Sequence, residues 1–293
     1  LLTLFIKTEE RRLEGVRLDE VQTREVFFKN EEQDIKLAGL LFVPKGEGPF
    51  PAAVIIHGSG TSYRENSWYL TLCRYLQSNG ILVLLPDKRG SVKSEGSWQT
   101  ASFDDLTTDT KAAVHFLTEQ KEIPIASKGV VGMSQGGQIA PMAAVQSAEI
   151  DFVVSIVSGA VPMHEQFHYE ENHNLRQMGI LPGISNLLAH ATTFYHRNLG
   201  HNKSFWKAVG NFNSLDYWKE VNVNSLIIYG KEDTNVPVAK SVGRLKALNK
   251  PNLIIRTYEN SGHALESPEG KGNSILRKDA LAEITRFIHS MEI

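Results

Sequence analysis

Residues 129–146 read GVVGMSQGGQIAPMAAVQ, an apolar β-branched run that breaks on Gly-Met-Ser-Gln-Gly-Gly and resumes in small residues. The pattern predicts a buried strand over 129–134 and a helix over 136–146, despite Pro141. Gly132 and Gly136 flank Ser134, and without Cβ atoms they let strand and helix approach closely. A serine in so tight a turn projects its hydroxyl from the sheet edge. The helix starting there directs free N–H groups and its positive dipole end at any oxyanion formed nearby. An ordinary Gly-rich turn with a surface serine has the same local pattern, so the reading depends on partners elsewhere in the chain.

Outward from this turn, short apolar runs alternate with helical spacing. Strands are expected at 52–58 (AAVIIHG), 81–87 (ILVLLPD), 151–159 (DFVVSIVSG), 225–230 (SLIIYG) and 252–259 (NLIIRTYE). Helices are expected at 65–78, 104–120, 236–248 and 274–291. Strands this continuously apolar imply a mainly parallel sheet covered on both faces, an α/β architecture. Residues 22–43 alternate as a hairpin turning near KNEEQD, which adds antiparallel strands at one edge. The alternation stops at 160–222, which holds six of the ten histidines and many aromatics. SNLLAHATTFYHRN and KSFWKAVGNF there have helical spacing. Residues 160–222 are therefore expected to form an inserted helical cap, or lid, with 1–159 and 223–293 as the core.

A serine hydroxyl needs a base, and the base needs an orienting acid. His263 in NSGHALE and an acid in YGKEDTNVP, either Asp233 or Glu232, each follow a core strand. Both lie where open α/β sheets place their sites. The tetrahedral intermediate of acyl transfer also needs N–H donors. Gln135, directly after Ser134, supplies one, and Ser59 in H57-G-S-G supplies the other. His57 precedes Ser134 at a strand exit and is read as structural.

These residues resemble the α/β-hydrolase superfamily of serine esterases, acyl hydrolases and peptidases, over about residues 23–293. The likeness rests on H57-G-S-G, G132-M-S-Q-G-G, G230-K-E-D-T-N-V-P and S261-G-H. It implies a mostly parallel eight-stranded sheet, with Ser134 in a nucleophile elbow and Ser134, His263 and Asp233 as a catalytic triad. Asp233 is preferred to Glu232 because it fits the pattern G-x-x-D-x-x-V-P. PDKRGSVKSEG (86–96) is similar to the D-x-R-G-x-G-x-S-x-G loop, with Val92 in place of a glycine. Asp87 and Arg89 are expected to shape that loop by an ion pair or turn hydrogen bonds. The chain looks most like bacterial esterases and dienelactone-hydrolase-like or aminopeptidase-like acyl hydrolases. It departs from dienelactone hydrolase in carrying serine where that enzyme has cysteine.

The implied activity is hydrolysis of small apolar acyl or aryl esters through an acyl-enzyme, with no cofactor or metal. Peptide or thioester hydrolysis by the same residues is the alternative. About 50 residues precede the first core strand, too few for the propeller of the larger peptidases. A net charge of −2 argues against nucleic acid or an acidic membrane as the main partner. The single cysteine, Cys73, excludes an intrachain disulfide and a cysteine-based zinc site. No apolar run approaches the ~18 residues a membrane helix needs. LLTLFI at the start is too short and lacks a following cleavage site, which favours a cytoplasmic enzyme. Export with a removed signal is the alternative, and monomer and homodimer are both open.

HEQFH (164–168) has the form H-E-x-x-H, which on a helix can hold zinc. The extended signature needs Gly at 171 and His at 174, where this chain has Glu171 and Asn174. His173 is one residue off. HEQFH is thus expected to lie on a polar cap helix, with at most incidental metal binding by His164, His168 and His173.

Overall fold

The computed structural model describes residues 22–200, 203, 206, 209–267 and 276–291. The chain begins with the hairpin β1 (Gln22–Asn30) and β2 (Ile35–Val43), followed by β3 (Phe50–Ile56), α1 (Ser67–Ser78) and β4 (Leu82–Pro86). The central stretch is α2 (Phe103–Thr118), β5 (Ile125–Met133), α3 (Gln135–Gln146) and β6 (Phe152–Ile156). Helices α4 (Met163–Gln177), α5 (Pro182–Asn198) and α6 (Ser214–Glu220) intervene before β7 (Asn224–Gly230). The chain continues through α7 (Val238–Ala247), β8 (Leu253–Tyr258) and α8 (Lys278–His289). The opening residues and much of KSFWKAVGNF, including Phe205, lie outside the described residues, as do 274–275 at the start of the last expected helix.

All eight strands form one sheet in the order β1-β2-β4-β3-β5-β6-β7-β8. The hairpin is antiparallel and β2 meets β4 antiparallel. Every other pair is parallel. Helices α2, α3, α6 and α7 pack on one face through Leu106, Ile139, Trp218 and Leu245. Helices α1 and α8 cover the other through Leu72, Leu76, Leu281 and Ile284. Each such side chain, taken fully out of water, contributes about 1.5–3 kcal/mol. The two-sided burial explains why β3 reads as an unbroken apolar run and β6 is broken only by Ser155.

Two strand ends differ from the sequence reading by three residues or more. β5 starts at Ile125, four residues earlier than the apolar run, because its polar opening pairs with β3 from Phe50 onward. β6 ends at Ile156 although the apolar run continues. Val157 takes φ 47 and turns the chain out of the sheet.

Pro141 sits inside α3 and leaves the Gly137 carbonyl without its helical donor. The Ser155 hydroxyl of β6 donates to that carbonyl at 3.1 Å, so the break costs no unsatisfied group.

In the loop after β4, Asp87 and Arg89 do not pair with each other. Asp87 accepts from Arg64 Nε and Nη2 at 2.8 and 2.7 Å, while Arg89 Nε donates to Asp109 at 2.6 Å. The loop is therefore tied from within, by the Lys93 N–H on Asp87 at 3.3 Å, and pinned outward to Arg64 and to α2. Val92, in the glycine position of that loop, is exposed and has φ 51. A β-branched residue there is strained by about 1–2 kcal/mol. Glycine relieves the strain and loses only part of it to chain entropy. Val92→Gly should therefore raise stability by about 0.5–1 kcal/mol, read as a higher urea midpoint at unchanged slope.

Candidate active site

Ser134 directly follows β5 and caps α3 with φ 54 and ψ −119, a strained backbone that projects its side chain from the turn. Two glycines make the turn possible. A Cβ on Gly132 would lie 2.2 Å from the Gly136 carbonyl oxygen, and one on Gly136 would lie 2.1 Å from that of Ile56. The Ser134 N–H donates to Ile156 O at 2.9 Å, tying the strained residue to β6.

The structure brings His263 and Asp233 to this serine from the loops after β8 and β7. The Ser134 hydroxyl lies 2.9 Å from His263 Nε2, and His263 Nδ1 lies 2.8 Å from Asp233 Oδ2. A carboxylate can only accept, so Nδ1 carries the proton and Nε2 is left to accept from Ser134. Asp233 is buried, and its Oδ1 accepts from the backbone N–H groups of Asn235 and Val236 at 2.8 and 2.9 Å. Those amides offset the cost of burying the charge. Glu232 is exposed, and it is Asp233 that reaches the histidine.

The loop after β3 lies against Ser134, since a Cβ on Gly58 would come within 3.3 Å of Ser134 Cβ. Ser59 follows, and Gln135 opens α3. Neither amide donates to a protein acceptor among the described residues. His57 is buried, and its Nε2–H donates to the Pro86 carbonyl at 2.6 Å. Desolvation lowers its pKa to about 4, so it stays neutral and structural.

Several residues around the site had no signal in the sequence. Trp68 Nε1 donates to the Ala264 carbonyl and its ring lies 6.2 Å from that of His263, steadying the histidine loop. The Tyr69 hydroxyl accepts the Gly58 N–H at 2.8 Å. Lys88 Nζ donates to the Gly58 carbonyl at 2.7 Å and to Gln135 Oε1 at 3.0 Å. None of these three forms a recognisable motif; only Lys88 lies within one, between the Asp and Arg of D-x-R-G.

Helix α4 carries HEQFH, and its polar groups converge on the core rather than on one point. Glu165 pairs with Lys240 and Arg244 of α7. His164 Nδ1 donates to the Gly210 carbonyl, His173 Nδ1 donates to that of Tyr169, and the His168 ring faces His190. The three histidines thus point to different partners. The same helix reaches the site: the Tyr169 hydroxyl donates to the Asp233 carbonyl at 3.1 Å, and Glu170 Oε1 accepts from Asn235 at 3.0 Å. Burial raises the Glu170 pKa. No helix among the described residues is long and apolar enough to cross a membrane.

Comparison with known proteins places the chain in a family. Residues 111–270 match the family model described as BAAT / acyl-CoA thioester hydrolase C terminal, and residues 16–171 match that described as chlorophyllase. Esterase EstD of Thermotoga maritima is 27% identical over 281 residues, covering 88% of this chain and 67% of EstD. A Pyrococcus furiosus esterase structure is similar at TM-score 0.67 and 20% identity, covering 93% of this chain and 92% of that one. Est1E from Butyrivibrio proteoclasticus is similar at 0.65 and 18%, covering 91% and 98%. At those identities the structures speak for the fold. The chain belongs to the α/β-hydrolase superfamily of ester and thioester hydrolases.

Proposed function

We propose that this α/β-hydrolase is a serine carboxylesterase for small apolar acyl or aryl esters, with Ser134 as nucleophile. The observation that carries the reading is the continuous hydrogen-bonded chain from Asp233 through His263 to Ser134. His263 Nε2 takes the hydroxyl proton as Ser134 Oγ attacks the carbonyl carbon. The carbonyl oxygen becomes an oxyanion between the Ser59 and Gln135 amides. His263 then gives the proton to the departing alkoxide or phenoxide, leaving an acyl-enzyme and a free alcohol. Water attacks the acyl-enzyme with His263 again as base, and the carboxylic acid leaves. Asp233 holds the tautomer and stabilises the imidazolium without itself taking the proton.

Within residues 160–222, α4 and α5 act in this reading as a lid, whereas α6 packs on the sheet through Trp218. Polar links from α4 to Asp233, Asn235 and Arg244 support it, since helix docking by such pairs is weaker than by a buried apolar face. The match to a thioester-hydrolase family favours acyl thioesters as a second substrate class.

The test combines labelling with a substrate panel. A fluorophosphonate probe should add one equivalent, mapped by mass spectrometry to Ser134. Aryl esters should exceed matched aminoacyl arylamides by at least about 100-fold in kcat/KM, because an amine leaves far less readily than a phenoxide. Labelling elsewhere, or arylamide turnover without ester turnover, would falsify the reading.

A further inference from the structure

We infer that Lys88 is a positioning residue for the oxyanion site, its buried ammonium aligning and polarising the peptide whose N–H is the Ser59 donor. The inference rests on the proposed role of Ser134. Its basis is the identity of the atoms that Lys88 touches. The Gly58 carbonyl, 2.7 Å from Lys88 Nζ, belongs to the same peptide unit as the Ser59 N–H. In a trans peptide the C=O and N–H bonds point in opposite directions, so fixing the oxygen on Lys88 fixes the direction of the Ser59 N–H. The preceding peptide is held as well, with its Gly58 N–H on the Tyr69 hydroxyl at 2.8 Å. The same ammonium holds Gln135, the other proposed donor, through its side-chain oxygen at 3.0 Å. One cation thus ties together the two residues whose amides would share the oxyanion.

The charge of Lys88 is uncommitted. Asp87 is taken by Arg64, and Arg89 is paired with Asp109. His57 and Tyr69 are both buried and neutral, the Tyr69 pKa raised by desolvation, and His263 stands beyond Ser134. Lys88 donates only to uncharged acceptors and forms no ion pair among the described residues. A charge-assisted bond to a carbonyl polarises its peptide and makes the opposite N–H a stronger donor. An unneutralised ammonium also adds a field that favours negative charge developing beside Ser134. Desolvation lowers the Lys88 pKa to about 8, so the cation is lost within a measurable range.

The test is Lys88→Met, with Lys88→Gln as a second variant that keeps one donor without the charge. On p-nitrophenyl acetate, kcat should fall about 10- to 100-fold in Lys88→Met, with KM changed less than about threefold. Lys88→Gln should be intermediate. Wild-type kcat should decline as pH rises past about 8, and Lys88→Met should lack that limb. Stability moves the opposite way. With the folded pKa below the unfolded value, the unfolded chain holds more protons between about pH 8 and 10.5, so this group's contribution to stability rises there. A falling kcat at steady or rising stability is a signature that a purely structural lysine does not give. A kcat within about threefold of wild type in both variants, or the same alkaline limb in all three proteins, overturns the role of Lys88. Fluorophosphonate labelling of wild-type Ser134 is read in parallel. If that labelling fails, the underlying reading fails; if it succeeds while the Lys88 variants behave as wild type, only this inference does.

Discussion

Replacing Ser134 with alanine should lower kcat for aryl esters by about 10^5-fold and abolish fluorophosphonate labelling. The size follows from what is removed. Attack by Ser134 Oγ is the step that the histidine, its acid and the oxyanion amides all serve, so the effects of removing any of them are not additive. What survives is the oxyanion site acting on a bound ester with water as nucleophile, worth about 10^3- to 10^4-fold over solution. The fold should survive, because alanine keeps the Cβ and accepts the same φ 54 about as well as serine does. Unchanged circular dichroism and an unfolding midpoint within a few degrees would establish that. A Ser134→Ala protein retaining more than about 1% of wild-type kcat would move the nucleophile elsewhere.

Asp233→Asn should cost about 10^4-fold in kcat while changing KM little. The surroundings of the carboxylate decide why the amide cannot substitute. The Asn235 and Val236 N–H groups both point at Oδ1, so that position must stay an oxygen. The amide nitrogen is then forced toward His263 Nδ1, where it can only donate. Nδ1 becomes an acceptor, the ring proton moves to Nε2, and the base facing Ser134 is blocked. Glu232→Gln is the matched control, because Glu232 is exposed and lies one residue away. It should change kcat by less than about twofold. Equal losses in the two variants would remove Asp233 from its proposed role.

Much of this molecule is legible in local pattern. The period and length of the apolar runs reflect two-sided burial, so the expected core strands and helices all end within four residues of where the structure ends them. The turn at Ser134 is legible for a steric reason: only glycine fits at 132 and 136, and the sequence shows both. The order Ser134, Asp233, His263, each after its own strand, is readable because loops at one sheet edge bring distant residues together. HEQFH has the spacing of a zinc helix, which the sequence reading sets aside because the extended signature fails; its histidines turn to three different partners.

The chemistry that depends on distance along the chain is not legible. The fit to G-x-x-D-x-x-V-P favours Asp233 over Glu232, and the structure adds what the letters lack: Asp233 is buried, takes two backbone amides and reaches His263. Tyr69, Lys88 and Gln135 are up to 66 positions apart, yet they meet behind one peptide because β3, β4 and β5 are neighbours in the sheet. The sheet, the strained turn and the serine at its tip are written in local sequence, because they follow from burial and backbone sterics within a few residues. Which cation stands behind the oxyanion loop was decided by strand order. That order sets which loops share a low-dielectric pocket, and in such a pocket a single buried charge acts strongly on its neighbours.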